Sequence, residues 1–237
     1  MSELCVENRD VVVPGEVVAK GMDYLPGFGT YRTEENIVAS RLGLTRIDGR
    51  AIKVTPLSGR YIPKKNDVVI GKVIDITVNG WRLEINSAYS GMLMMKDATS
   101  EFIQRGADLS HYYKLGEYMV CKITNVTSQK LVDLTLKGPG LKKLTSGRLM
   151  NVNPHKVPRI IGKQGSMVQM LKDATNTNII VGQNGVIWLK GEPNAETTAI
   201  KAIHKIEEQS HISGLTVKIK EFLEKETGKQ IQLKNTE

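Results

Sequence analysis

Gly162 and Gly165 bracket Lys163 and Gln164, so a cation and an amide sit inside a two-glycine turn. Without Cβ atoms the glycines let the backbone turn sharply and let a phosphate chain come close. Ser166 follows as the expected N-cap of a helix. Met167, Met170, Leu171 and Ala174 then recur at helical spacing, one apolar face. A glycine loop feeding a helix N-terminus presents unpaired N–H groups and the positive dipole end to an anion. The chemistry on offer is anion binding, not bond making. Between Leu134 and Lys172 there is no Asp or Glu, whereas Lys137, Lys142, Lys143, Arg148, Lys156, Arg159, Lys163 and Lys172 are all basic. The candidate phosphate contacts are therefore Arg148, Lys156, Arg159 and Lys163, with Gly162, Gln164 and Gly165 supplying the turn. A loop that merely packs against protein is the other use of the same spacing.

The elements around this loop must hold it out from a core. Arg148 to Val152 reads as a strand, and Val157 to Ile161 as a short apolar helix. Asn178–Val181 and Val186–Leu189 are β-rich runs joined by Gln183-Asn184-Gly185, a hairpin signal. Asn194 to Ser210 is helical, with Ala199, Ile200, Ile203 and Ile206 on one side. The order strand, helix, Gly-x-x-Gly, helix, strand, strand, helix resembles the KH RNA-binding domain, whose loop clamps four backbone nucleotides.

Residues 63–145 read as five strands. Val68 to Val78 is long, with a bend expected at Gly71, and Asn79-Gly80 turns it. Trp81, Leu83 and Ile85 alternate with Arg82 and Glu84. Gly91–Met95, Glu117–Val126 and Val132–Leu136 complete the set, and Ser100–Gln104 is expected to be partly helical. Five strands with a long connection between the third and fourth match a Greek-key OB barrel and resemble the S1-type domain of RNA-binding proteins. The base-stacking positions of that family fall at Val78, Trp81 and Met94, and only Trp81 keeps a ring. Trp81 is either that platform or core. Arg82, Lys96, Arg105, Lys122 and Lys130 either hold phosphates or form a solvated surface.

Residues 1–62 read as short strands and turns: Val11–Val13, Glu16–Ala19, Ile37–Ser40 and Ala51–Val54, with a glycine-rich loop from Tyr24 to Tyr31. So short a segment builds only a thin core, which points to docking on a partner. The organisation expected is thus a β-rich N-terminal domain over 1–62, an OB barrel over 63–145 and an α+β KH domain with a helical extension over 146–237.

Charge follows that division. The 237 residues carry a net charge of +8. Residues 1–62 hold eight basic and eight acidic groups, 63–145 hold twelve and eight, and 146–237 hold thirteen and nine. The excess lies wholly in the last two segments, a polyanion footprint. Aromatics make up only 5% of the chain, so no broad stacking surface is expected. No apolar run reaches membrane-spanning length, and residues 1–10 lack the basic start and apolar core of a signal peptide. An intracellular, cytoplasmic protein is the expectation. Cys5 and Cys121 stand far apart, too few for a zinc ribbon or disulfide framework. No P-loop spacing occurs, and His111, His155, His204 and His211 form no ligand pair with cysteine. Neither a catalytic centre, a metal nor a cofactor is expected.

Taken in order, Pro14-Gly15-Glu16, Gly29-Thr30-Tyr31, Gly59-Arg60-Tyr61-Ile62-Pro63, Gly71-Lys72-Val73, Ile85-Asn86-Ser87 and Ile161 to Met167 resemble the recurring stretches of one family. That family comprises the archaeal RNA exosome cap subunits that contain S1-type and KH domains. The resemblance implies a non-catalytic subunit that binds single-stranded RNA. It implies three caps on a hexameric ring of RNase-PH-like proteins that phosphorolyse RNA from its 3′ end. A structural clamp with little RNA contact and a free-standing RNA-binding regulator are the competing readings.

Overall fold

The computed structural model describes residues 3–99, 101, 103–104, 106–210 and 214–228. The chain divides into two compact units, Met1–Gly59 and Arg60–Glu237.

The first unit is all β. One sheet has the order β1 (Glu3–Leu4), β3 (Val17–Lys20), β6 (Asn36–Ala39), β5 (Thr30–Thr33). The other has the order β2 (Val11–Val12), β7 (Gly43–Asp48), β8 (Ala51–Pro56), β4 (Leu25–Pro26). Val6, Val12, Val18, Ala19, Ile37, Ala39, Ile52 and Val54 form its small core. Strand β7 lies between the two runs Ile37–Ser40 and Ala51–Val54 read as strands, where the sequence shows Gly43 and Gly49. Gly43 begins it because its Cα faces Thr55 O, and an added Cβ would stand only 2.4 Å from that oxygen. The Tyr24–Tyr31 stretch is shaped by Thr30, whose hydroxyl accepts from Gly27 N–H at 2.9 Å and donates to Ile52 O at 2.9 Å.

In the second unit, β9 (Val68–Thr77), β10 (Gly80–Glu84) and β11 (Gly91–Met94) form an antiparallel meander. Helix α1 (Met95–Ala98) and a long connection lead to β12 (Tyr118–Val126) and β13 (Val132–Thr135). Strand β13 pairs parallel with β11 and antiparallel with β12, and β12 pairs with β9, which closes a five-stranded barrel. Strand β14 (Lys142–Leu144) adds to β12 outside the closure. Gly71 sits where a Cβ would come 2.9 Å from Leu83 Cδ2, so close approach of strands selects glycine there. Of the residues expected to be partly helical at 100–104, the described Glu101, Ile103 and Gln104 are irregular; α1 precedes them and a 3₁₀ turn at Leu109–His111 follows. Ser100 and Phe102 lie outside the described residues. The Asp97 carbonyl accepts from Leu136 N–H at 2.8 Å and from the Thr135 hydroxyl at 3.2 Å, which ties the end of α1 to β13.

Strands β15 (Arg148–Asn151), β16 (Asn178–Val181) and β17 (Val186–Lys190) follow, in the antiparallel order β15–β17–β16. Helices α2 (Val157–Ile161), α3 (Ser166–Thr175), α4 (Pro193–Glu208) and α5 (Leu215–Thr227) complete the domain. The periodic residues read from the sequence are its core: Met167, Met170, Leu171 and Ala174 of α3 meet Ala199, Ile203 and Ile206 of α4, and Leu215, Ile219 and Leu223 of α5 join them. Val186 and Trp188 of β17 instead pack with Ile70, Val120 and Leu144 of the barrel. The seam is keyed by Asn184, which is fully buried. Its amide donates to Ile70 O at 2.8 Å and Ile85 O at 2.9 Å, and its side-chain oxygen accepts from Ile70 N–H at 3.3 Å. Beside it, Gln183 N–H donates to Val68 O at 2.8 Å, and the Asn86 amide donates to Asn184 O at 2.8 Å. Barrel and α+β domain therefore share a core and a hydrogen-bonded turn.

Candidate nucleic-acid interface

The two-glycine loop runs from the end of α2 to the start of α3. Gly162 has φ 77°, ψ 175°, Gln164 has φ 53°, ψ 27°, and Gly165 has φ 81°, ψ 9°. Two successive left-handed residues turn the chain through one short turn of 3₁₀ helix. At Gly162 an added Cβ would stand 2.7 Å from the Met167 backbone nitrogen, so conformation and space both demand glycine. The cap of α3 is Gly165, not Ser166: Ser166 already has helical angles, φ −59°, ψ −40°, and no side chain caps this end. The reason is local, since the left-handed Gly165 starts the helix one residue earlier than a serine cap would. The first N–H groups of α3 are thus left without a side-chain cap beside a loop whose Lys163 and Gln164 are exposed.

Arg159, Gly162 and Lys163 line one open groove, closed on its far side by Gly214, Leu215 and Thr216 at the start of α5. The first three are legible in the sequence, and the α5 side is not. No local pattern could reveal that α5 folds back there. Among the described residues, neither Arg159 nor Lys163 has a carboxylate within ion-pair distance.

Other cations of the acid-free stretch are engaged in space by residues remote in sequence. Arg148 on β15 meets Glu196 of α4 at 3.0 Å, and Lys143 on β14 meets Glu117 at 2.7 Å. Burial works against ionisation of Glu117, but the hydrogen bonds from Lys143 and the Lys114 backbone outweigh it and hold its carboxyl below the usual range. Lys156 donates to Glu207 O at 2.9 Å, capping the C-terminal turn of α4. Arg148 and Lys156 are therefore already engaged by the domain itself.

Trp81 is core. It is fully buried, its Nε1–H donates to Tyr113 O at 3.1 Å, and its ring meets Tyr113 edge-on at 5.1 Å between centroids. This corrects its candidacy as an RNA-stacking residue. The physical reason was present in the period-two pattern, because Trp81 shares its face with Leu83 and Ile85, which are also fully buried. Val78 and Met94 do lie at the surface, 85% and 37% exposed, but neither offers a ring. Arg82 is exposed and stands 3.7 Å from Asp75, Lys96 is exposed on α1, and Lys122 is half-buried on β12. Lys122 registers with Val68 and Thr135, Arg82 with Asp75 and Met92, so the fold spreads these cations over separate strands. Lys130 is exposed at a turn with φ 64°. Arg105 lies outside the described residues.

Cys121 is buried in the barrel core, and burial pushes its thiol well above its ordinary range. Burial and the 2.5 Å hydrogen bond to Asp67 push the Tyr61 phenol up, so it remains a neutral donor. Among the described residues no group of His, Cys, Asp and Glu is placed to hold a metal, and no helix is long and apolar enough to cross a membrane.

Comparison with known proteins agrees with this geometry. Residues 147–195 match the KH domain family, and residues 60–109 match the family described as RRP4, S1 domain. A protein of Methanothermobacter thermautotrophicus named exosome complex component Rrp4 is 42% identical over 99% of this chain and 75% of its own length. One of Methanothermus fervidus with the same name is 46% identical over 93% of this chain and 97% of its own. A crystal structure described as that of an exosome complex RNA-binding protein superposes with a TM-score of 0.63 at 33% identity, over 71% of this chain and 97% of that one.

Proposed function

This chain belongs to the Rrp4 family of archaeal exosome components, and from that premise we propose that it is a non-catalytic RNA-binding cap. It captures single-stranded RNA and guides it into a phosphorolytic 3′-to-5′ ring of RNase-PH-like subunits, three caps to a hexameric ring, in the cytoplasm. The observation that carries the RNA reading is the exposed Gly162–Gly165 loop, with Lys163 and Arg159 beside the uncapped N-terminus of α3. Such a surface takes phosphates and does not read bases. The first unit supports the docking part. Met22, Leu25, Phe28 and Tyr31 are 69%, 57%, 45% and 48% exposed on a segment with no net charge, a surface suited to protein rather than polyanion.

The burial of Trp81 favours a second reading, in which the barrel is a clamp and RNA meets the KH domain alone. Filter binding of oligo(A) to the full chain across a salt series tests the RNA reading. If about four phosphates are neutralised, log K falls against log salt with a slope near −3, from about −0.7 per contact. A flat profile overturns the electrostatic reading. Stoichiometric co-purification with ring subunits tests the cap reading, and a chain that purifies alone speaks for a free-standing regulator.

A further inference from the structure

At the seam between barrel and KH sheet there is an open cleft of about 190 Å³. The barrel contributes Lys72, Glu84, Asn86 and Tyr118, and the KH sheet contributes Leu149 and Asn151. The register explains the grouping. Lys72 on β9 pairs with Glu84 on β10 to one side and with Tyr118 on β12 to the other, so the three form one row across the sheet. Leu149 and Asn151 alternate on β15 and pair with Trp188 and Val186, the residues that pack on the barrel. The cleft is therefore built by the same contacts that lock the two domains together.

Its chemistry differs from that of the glycine loop. Leu149 and the half-buried Tyr118 give apolar and aromatic walls, suited to the face of a planar ring. The Lys72 ammonium lies over the Tyr118 ring, 5.9 Å from its centroid, and among the described residues no carboxylate stands within ion-pair distance of it. Glu84 is exposed and has no ion-pair partner among the described residues. An ionised carboxylate accepts hydrogen bonds and donates none, and it repels phosphate. A cleft that joins a ring-stacking wall to an acceptor suits a nucleobase carrying an exocyclic amino group better than a phosphate. A carboxylate that accepts from the amino group of cytosine is a known base contact.

We propose that this seam is a subsite for one unstacked, amino-bearing base of single-stranded RNA, with Lys72 beside it to meet the adjoining phosphate. The inference rests on the RNA-binding reading above. Glu84 is then a specificity-determining residue, since cytosine donates at the position where uracil only accepts.

The test compares oligo(C) with oligo(U) on the full chain and on Glu84→Gln. Glutamine keeps the size and offers both a donor and an acceptor, so it serves either pyrimidine. Expected is a several-fold preference of the natural chain for oligo(C), reduced to near unity in E84Q, with the far-ultraviolet spectrum and melting midpoint unchanged. A second measurement maps photocrosslinks from the RNA, expected on the peptide that contains Tyr118. Equal binding of both oligomers by the natural chain, or a preference that survives E84Q, overturns the subsite while salt-dependent binding leaves the loop reading standing. Absence of binding to either oligomer overturns both.

Discussion

Lys163 and Gln164 stand at the tip of the loop, and their backbone is fixed by their neighbours. Gln164 itself occupies the left-handed region at φ 53°, a conformation that costs most side chains about 1–2 kcal/mol and that aspartate visits more readily. Replacing both residues by aspartate is therefore compatible with the fold. New carboxylates next to the N-terminus of α3 are favoured by about 0.3–1 kcal/mol each. The double variant K163D/Q164D is expected to melt where the natural chain does. Its RNA affinity should fall roughly tenfold or more, because a charge-assisted contact of about 1.5–3 kcal/mol is replaced by repulsion. RNA decay by the assembled ring should slow while assembly is unchanged. Full RNA affinity in a folded variant would show that the loop serves packing only.

At the scale of elements, the β16–β17 turn carries more than its hairpin. Asn184 satisfies the Ile70 N–H, the Ile70 carbonyl and the Ile85 carbonyl, all from a fully buried position. Removing one partner strands each of these groups, at about 1–3 kcal/mol apiece before relaxation or entry of water. Asn184→Ala is expected to lower stability by roughly 2–4 kcal/mol, read from urea unfolding. Asn184→Asp keeps an acceptor but cannot donate to the two carbonyls, so it should be no better than alanine. Wild-type stability in either variant would show that the seam does not depend on this amide.

At the scale of the whole molecule, the second unit owns its cores. Among the described residues, none before Tyr61 belongs to the clusters of the barrel, the seam or the KH domain. Tyr61 does belong to the barrel, through its bond to Asp67 and a bridge to Ser87, so a deletion that spares the barrel ends at Gly59. A chain starting at Arg60 is expected to fold, to keep its RNA affinity within about twofold of the full chain and to lose association with the ring. The readouts are circular dichroism, filter binding and size-exclusion chromatography with ring subunits. Retained ring association would move the docking surface into the second unit.

Short-range pattern in the sequence was enough for the five barrel strands, for the three KH strands with α2, α3 and α4, and for the glycine loop, but not for α1 or β14. The apolar period of 3.6 in α3 and α4 and of two in β10 is imposed by backbone geometry, which each segment carries within itself. Trp81 was legible for the same reason, once its parity with Leu83 and Ile85 was followed. Strand β7 was not, because Gly43 and Gly49 at its two ends favour turns whether or not the residues between them pair. Charge was legible only as a total. The acid-free run from Leu134 to Lys172 survives only in part as a basic surface, since folding carries Glu117, Glu196 and a C-terminal carbonyl of α4 onto Lys143, Arg148 and Lys156 and leaves Arg159 and Lys163 without such partners among the described residues. The role of Asn184 and the cleft beside Tyr118 are likewise tertiary. They depend on residues more than thirty positions apart meeting across two domains, and no local propensity encodes such a meeting.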